Sequence, residues 1–470
     1  MRYFNDVRCR RQFENLRRQF LQGGELAFSS VLSEEIMADA LSMVQDWRDR
    51  VYTPLVTLWV FLGQVLCTDH SCRAAVACLM AHRTAHGQAA CSSRTGAYCQ
   101  ARKRLPEEFV RHLARSSGRA LSQNAESKWY WKNRHVYMFD GSTISMPDTP
   151  ENQAAYPQPT SQTPGVGFPL ARVAAVFSLT CGAIVELAIA AYSGKGQGEV
   201  TLLRQLWDVF RPGDVLLVDS LMSNYRVLCT LQLRGVDVVT RLNKALRTAD
   251  FRRGQRLGKN DHLVTWTKPF LRDMDRDERR ALPESITVRE VRFHVEQKGF
   301  RSREIVVVTT LIDPEQFSVA DLADLYRQRW LNELDFSSLK VVLQMDVLRC
   351  KTPELVRKEI WTHVLAYNLI RTIVAQAAVK SERSPRTISF KAAVQILKAF
   401  QPFMDGRAFT RQQRDDLYAQ ILDAIHVHRV GNRPDRFEPR LRKRRFKKYD
   451  YLMKPRNETK LEILKQLKAN

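Results

Sequence analysis

The sequence has no Cys-x-x-Cys pair, no internal repeat and no apolar run long enough to cross a bilayer. Its most apolar stretch, "PLVTLWVFLGQVLC" (Pro54 to Cys67), falls short of the roughly 20 residues a spanning helix needs and contains Gln64. It reads as a buried helix, and no membrane partner is expected. No apolar segment follows the basic "MRYFNDVRCRRQF", so no signal peptide is expected and the cytoplasm is the expected compartment. The nine cysteines are odd in number, and six lie in the first hundred residues. Cys67, Cys72 and Cys78 stand near His70, His82 and His86, but their spacing matches no zinc template. Small apolar thiols on packed helices, kept reduced, are the expected reading. Acidic residues are also short: 50 Asp plus Glu stand against 74 Lys plus Arg, a formal net charge of +24. Such an excess calls for a polyanionic partner, nucleic acid ahead of an anionic membrane surface.

What the sequence does hold suffices for globular packing. Of its 470 residues 44% are hydrophobic, and a chain of this length accommodates roughly two to four structural units. Residues 1–125 read as helical. "SEEIMADALSM" opens on Ser33 followed by Glu, a helix start, and "TLWVFLGQVL" and "CRAAVACLMAHR" follow. "SSRTGAYCQARKRLP" (Ser92 to Pro106) is a polar turn leading into a basic helix. Such a unit either reads DNA or packs as plain helices. The texture changes over residues 126–245. "RHVYMFDGSTISM" is strand-like, "PDTPENQAAYPQPTSQTPG" is a Pro-rich loop, and "ARVAAVFSLTCGAIVELAIAAY" reads as two strands joined at Thr180–Gly182. A helix ("GEVTLLRQLWDVF"), a buried strand ("PGDVLLVDS"), a helix ("NYRVLCTLQLRG") and a strand ("VDVVTRL") complete the order β, β, β, α, β, α, β. That order implies a mixed α/β sheet. Residues 246–315 form a β-rich insertion, with strands in "DHLVTWTKPF", "SITVREVRFHVEQ" and "REIVVVTTLID". Residues 316–400 return to helices, and residues 401–470 are helical and basic. From Arg433 onward 14 Lys/Arg stand against 5 Asp/Glu, or +9 in 38 residues. The run "RLRKRRFKKY", interleaved with Phe437, Phe446, Tyr449 and Tyr451 around it, is a phosphate-binding segment or a solvated tail.

Two aspartates stand where buried strands emerge, the position at which ligands collect in α/β sheets. Asp140 follows "VYMF" and Asp219 ends "VLLV", whereas Asp214, in "PGD", precedes its strand and reads as a turn residue. A third carboxylate lies in "DLYRQRWLNELDFSSLK" (Asp324 to Lys340). Read as one continuous helix, Tyr326, Arg329, Glu333 and Lys340 fall at about 0°, −60°, −20° and −40°, a single stripe, with Asp335 on the opposite face. A solvated, salt-bridged face would give the same stripe. Carboxylates from two strands and a helix would also suit two Mg²⁺ ions about 4 Å apart, an arrangement that activates a nucleophile and steadies a leaving oxygen.

The pattern Tyr-x2-Arg-x3-Glu-x6-Lys in "YRQRWLNELDFSSLK" resembles the YREK signature of the DDE transposases of bacterial insertion sequences, in the fourth insertion-sequence family, and matches at all four positions. "FDGSTIS" and "GDVLLVDSLMSNY" are similar to that family's two aspartate segments, and the resemblance spans roughly residues 50 to 455. It implies an α/β, ribonuclease-H-like catalytic core with a β-rich insertion, flanked by a helical N-terminal domain and a helical, basic C-terminal region. It implies Asp140, Asp219 and Glu333 as catalytic, metal-binding residues for two Mg²⁺ ions, with Mn²⁺ able to substitute. Tyr326, Arg329 and Lys340 would grip phosphates of the transposon end. The implied activity is cleavage at transposon ends and strand transfer into target DNA by a synaptic homodimer, commonly through a hairpin intermediate, on the DNA of a bacterial nucleoid. Relatives that form hairpins use an insertion-domain Trp about twenty residues before the Tyr of the signature; Ile305 stands there, and Trp266 in "HLVTWTKPF" is either a substitute from another strand or a strand core aromatic. Two other readings are a ribonuclease-H-like nuclease without strand transfer and a silent, transposase-derived DNA-binding protein. The charge generates a first prediction. Duplex DNA affinity falls on the order of 10³-fold between 50 and 200 mM salt, from counterion release, in a filter-binding titration; a flat response would count against the basic segments as the binding surface.

Overall fold

Short polar residues before apolar stretches fix where the helices begin. Asp6, Ser33, Thr53 and Ser71 each accept a backbone N–H at the start of α1 (Val7–Gln19), α2 (Glu34–Ser42), α3 (Pro54–Leu66) and α4 (Cys72–Ala85). The computed structural model describes residues 6–22, 26–45, 47, 50–270, 274, 276–294, 304–404, 409–431 and 450–469; the basic run 440–449 lies outside them. The remaining elements are α5 (Gly96–Arg104), α6 (Glu107–Gln123), β1 (Val136–Ser145), α7 (Pro150–Ala155), β2 (Leu170–Ser178), β3 (Ile184–Ala191), α8 (Glu199–Gln205), β4 (Val215–Val218), α9 (Tyr225–Leu233), β5 (Asp237–Arg241), β6 (Gln255–Gly258), β7 (Asp261–Thr267), α10 (Arg276–Ala281), β8 (Ser285–His294), β9 (Glu304–Thr309), α11 (Val319–Arg327), α12 (Leu331–Ser337), α13 (Pro353–Lys380), α14 (Phe390–Met404), α15 (Arg411–His426) and α16 (Arg456–Ala469).

Among the described residues the strands form one sheet in the order β3-β2-β1-β4-β5-β9-β8-β7-β6. β2 is antiparallel to both its neighbours, while β1, β4 and β5 run parallel, which requires the crossovers α8 and α9. The first five strands thus have the mixed, ribonuclease-H-like arrangement expected from the order of elements. The strands of the insertion do not form a separate sheet. β9 pairs antiparallel with β5, so β6 to β9 cover what would otherwise be an open edge.

Both faces of the sheet are buried, as period-two alternation demands when helices lie on each side. Val136, Met138, Val215 and Leu217 point into one core; Tyr137, Phe139, Leu216 and Val218 point into the other. The first core also takes in α1, α3, α6 and α13, so the N-terminal helices pack directly onto the catalytic sheet's cover. α13 is buried along almost its whole length. Its Asn368 side chain donates to Ala114 O and Ile184 O, both at 2.9 Å, and accepts from Ile184 N at 2.8 Å, tying α6 and β3 to α13. α6 comes so close there that a Cβ on Gly118 would fall 1.9 Å from Ile184 O.

The stretch 318–342 departs from the single helix expected. α11 begins with a capping box between Ser318 and Asp321, tightens into a 3₁₀ turn at Gln328–Trp330, resumes as α12, and widens into a π turn at Ser338–Val342. The 100° step assumed for the stripe fails at both irregular turns. Asp335 does face away from solvent, and its partners show why. Its wholly buried carboxylate accepts from Arg371 (2.5 Å), from Arg386 through two nitrogens (2.9 and 2.7 Å) and from the Tyr367 hydroxyl (3.1 Å). Replacing Asp335 by Ala strands two buried guanidiniums, so Asp335→Ala is expected to lower unfolding free energy by roughly 3–5 kcal/mol in urea titration. A loss below about 1 kcal/mol would show that this cluster does not hold α12.

Candidate active site

The parallel pairing of β1 with β4 sets Met138 beside Leu217, and two residues further on Asp140, within β1, and Asp219, just past the end of β4, come level with each other. Asp140 accepts from the Gly141 amide at 2.8 Å. Asp219 caps the turn after its strand, accepting from Leu221 N at 3.0 Å, and its carbonyl accepts from the Thr240 hydroxyl at 2.6 Å. Burial pushes the Asp140 carboxyl up to about 6; the Gly141 amide and Arg329 oppose the rise, while Asp219 and Glu199 add to it. Glu199 is raised in turn by burial and by Asp219, with Arg172 opposing. Strand ends that gather carboxylates in a dry setting disfavour negative charge unless cations are supplied.

The cations come from α11 and from the 3₁₀ and π turns on either side of α12. Arg329 acts on Asp140 and on the buried Tyr326. Burial raises the Tyr326 hydroxyl, and Arg329 and Arg241, at the end of β5, pull it back. Lys340 donates to Ser142 Oγ at 3.1 Å, two residues beyond Asp140. Arg329 thus lies near Asp140, Tyr326 near Asp219, and Lys340 at Ser142 on the same strand as Asp140. Glu333 lies on the exposed side of α12, which packs against β1. Among the described residues no three His, Cys, Asp or Glu side chains stand close enough as placed to hold a metal ion. Asp140, Asp219 and Glu333 thus do not form a ready ligand set, and the cysteines and histidines around residue 70 form none either.

Of the two readings of Trp266, the strand core aromatic is the one the structure supports. It is 2% exposed on β7, its indole N–H donates to Glu290 on β8 at 3.2 Å, and Arg247 lies 4.5 Å over its ring. A ring closed in this way has no free face for a base. Ile305 is buried on β9 opposite Phe293, so neither position offers a stacking surface. Glu199, at the start of α8, was not singled out from the sequence; its carboxylate packs against Gly141 and adds to the rise of Asp140.

Residues 131–369 match the transposase DDE domain family, and the chain belongs to that family. The matched span contains Asp140, Asp219 and the whole of the Tyr326–Lys340 pattern. The transposase InsG of insertion sequence element IS4 from Escherichia coli K12 is 28% identical over 363 residues, 75% of this chain and 77% of that protein. The transposase of insertion sequence element IS421 from Escherichia coli is 41% identical over 69 residues, 15% of this chain and 19% of that protein. Among solved structures, the piggyBac transposase synaptic complex with hairpin DNA aligns with 84% of both chains at 9% identity and a TM-score of 0.43. Members of the DDE family act through divalent metal ions, and among the described residues no helix is long and apolar enough to cross a membrane.

The raised Asp140 makes a prediction with a definite sign. An acid whose folded-state value is raised binds its proton more tightly when folded. Stability therefore falls as pH rises from the ordinary 3.8 through about 6. Asp140→Asn keeps the oxygen that accepts from Gly141 and removes the charge. Without added metal, Asp140→Asn should be more stable than wild type by on the order of 2 kcal/mol at pH 8, and about equal to it at pH 4. A pH-independent difference in calorimetric melting would contradict a desolvated carboxylate here.

Proposed function

We propose that this chain is a DNA transposase of the cut-and-paste kind, cleaving at its element's ends and joining the freed 3′-hydroxyls to target DNA. The observation that carries the reading is the pairing of Asp140 and Asp219 at neighbouring strand ends, with Tyr326, Arg329 and Lys340 gathered over them inside the family-matched span. Oxygen donors gathered where burial and a neighbouring carboxylate disfavour the Asp140 charge fit a hard divalent cation. The proposed ligands are Asp140, Asp219 and Glu333, for two Mg²⁺ ions, with Mn²⁺ as a substitute. Bound there, the ions would make water or a 3′-hydroxyl nucleophilic and stabilise the leaving oxygen of the phosphodiester.

The chain's own residues do the rest. Arg329 supplies a planar fork that suits a phosphate beside the scissile bond, and Lys340, anchored at Ser142, presents a second positive charge to the terminal strand. Tyr326, kept protonated by burial, can donate to a phosphate oxygen but cannot act as a base near neutral pH. Since Asp335 fixes α12, Glu333 joins the two aspartates by rotation of its exposed side chain and not by movement of its helix. Residues 1–125 and 401–470 are assigned to double-stranded end and target DNA and to the second copy of a synaptic homodimer acting on nucleoid DNA. Neither Trp266 nor Ile305 supports a hairpin step, so none is included.

The test is an incubation of the protein with Mg²⁺, labelled DNA from the element's ends and a target plasmid. Wild type should give joined products. Asp219→Asn and Glu333→Ala should each lower cleavage by a factor on the order of 10³, with end binding within about threefold of wild type. Cleavage without joining would point to a nuclease, and binding alone to a silent relative. Cutting by Glu333→Ala at the wild-type rate would remove Glu333 from the ligand set.

A further inference from the structure

We propose that Cys72 and Cys99 are an oxidation-sensitive pair that closes to a reversible disulfide between α4 and α5 when the protein meets a hydroperoxide. The two sulfurs stand 4.0 Å apart. A disulfide needs roughly 2.05 Å, so the gap closes by a shift of about 2 Å, of the size that side-chain rotation supplies. Helix packing and not sequence proximity brings them together. Cys72 is the first residue of α4, behind the Ser71 cap, and Cys99 lies on α5, 27 residues further on. Both thiols are half-buried and so reachable by a small oxidant, whereas Cys350, the next sulfur of the cluster, is 5% exposed.

The surroundings decide which thiol attacks. Arg102, one turn after Cys99 on α5, reaches Cys72 Sγ at 3.2 Å and Cys99 Sγ at 3.8 Å. This guanidinium is buried, lies over the rings of Phe61 and Tyr98, and donates to Gln64 Oε1 at 3.2 Å. Among the described residues it forms no ion pair with a carboxylate; Glu359, which feels its charge, accepts from the Arg349 and Cys350 amides instead. A dry cation facing neutral groups favours negative charge on a neighbour that can lose a proton. Cys72 is the nearest sulfur and sits at a helix N-terminus, and both conditions favour a thiolate. Burial works the other way and raises the Cys72 thiol, with Arg102 opposing the rise. The pair is therefore protonated at rest, and the closeness of Cys99 drives closure once Cys72 is oxidised. The Cys72 thiolate, its proton gone to water, attacks a peroxide oxygen; the O–O bond breaks, leaving a Cys72 sulfenic acid and an alkoxide or hydroxide that takes up a proton. Cys99 Sγ then attacks the sulfenic sulfur, the S–O bond breaks, and the oxygen leaves as water with the Cys99 proton. Both thiols are oxidised and the peroxide is reduced. The bridge fixes the first turn of α4 to α5, whose Arg102 and Lys103 carbonyls accept from Lys358 on α13 at 3.4 and 2.9 Å. Oxidation thus acts where the N-terminal helices meet the helix that covers the sheet.

The test treats the reduced full-length protein with hydrogen peroxide, alkylates the remaining thiols and maps the peptides by mass spectrometry. A Cys72–Cys99 cross-link should form in about tenfold or greater excess over any other pairing, as the proximity of the two sulfurs demands, and dithiothreitol should restore both thiols. In Cys99→Ser, dimedone should trap a sulfenic acid on Cys72; Cys350→Ser should leave the bridge intact. The wild-type map decides the pairing whether or not a variant folds. Cross-links of Cys72 to Cys350 or of Cys99 to Cys91 in place of the expected one would overturn the proposal. So would oxidation that runs to sulfinic acid on Cys72 with Cys99 left reduced. A dimedone adduct on Cys99 in Cys72→Ser, with none on Cys72 in Cys99→Ser, would overturn the assignment of Cys72 as the attacking thiol.

Discussion

The placement of the catalytic elements depends on one buried ion cluster. Asp335 has no access to water, and its two oxygens are taken by Arg371, Arg386 and the Tyr367 hydroxyl. Arg371 and Tyr367 lie on α13, the helix that Asn368 binds to β3 and α6 one residue further on. Arg386 comes from the turn after α13. The helix bearing Glu333 is thereby fixed to the sheet bearing the aspartates by directional bonds and not only by apolar contact. An apolar interface tolerates sliding by fractions of an ångström; a bidentate guanidinium on a carboxylate in a dry setting does not. Such clusters add little net stability, since each charge loses its hydration, but they specify one arrangement. That matters where residues from β1, β4 and a helix more than a hundred residues later must meet.

The strand ends show the opposite balance. Burial, with Asp219 and Glu199 nearby, raises the proton affinity of Asp140, and burial with Asp219 raises that of Glu199. The Gly141 amide and Arg329 offset the first, and Arg172 the second. Local destabilisation of this kind persists because the surrounding core over-determines the backbone: Val136 to Phe139 and Val215 to Val218 are buried on both faces immediately before the aspartates. The fold supplies the rigidity, and the site uses it to hold like charges together.

Much of this was legible in the sequence, and the failures have identifiable causes. Asp140 and Asp219 could be found because a four-residue apolar run ending in a carboxylate is a local signal, and period-two burial results from it. Their adjacency could not, since it depends on parallel pairing set by α8 and its neighbours. The stripe of Tyr326, Arg329, Glu333 and Lys340 was read with a constant step per residue. A 3₁₀ turn and a π turn, neither with a compositional mark, change that step, so Tyr326 is buried and Glu333 exposed. The choice between the two readings of Trp266 could not be made for a related reason. Whether a strand aromatic faces solvent depends on partners such as Glu290 and Arg247, which the alternation of its own strand does not reveal.

The distribution of charge explains how a carboxylate site can serve an anionic substrate. The chain carries +24 overall, so DNA is drawn in by a long-range field that has no need of the strand-end carboxylates. At short range those carboxylates would repel a phosphate. Arg329, which acts on Asp140, and Lys340, bonded to Ser142, offset part of that repulsion. In the proposed site a divalent cation would reverse the local sign and let a phosphodiester approach Asp140 and Asp219. Binding and chemistry are thus carried by different charges. Removing a strand-end carboxylate alters the second with little effect on the first, whereas salt alters the first and leaves the buried carboxylates largely unscreened.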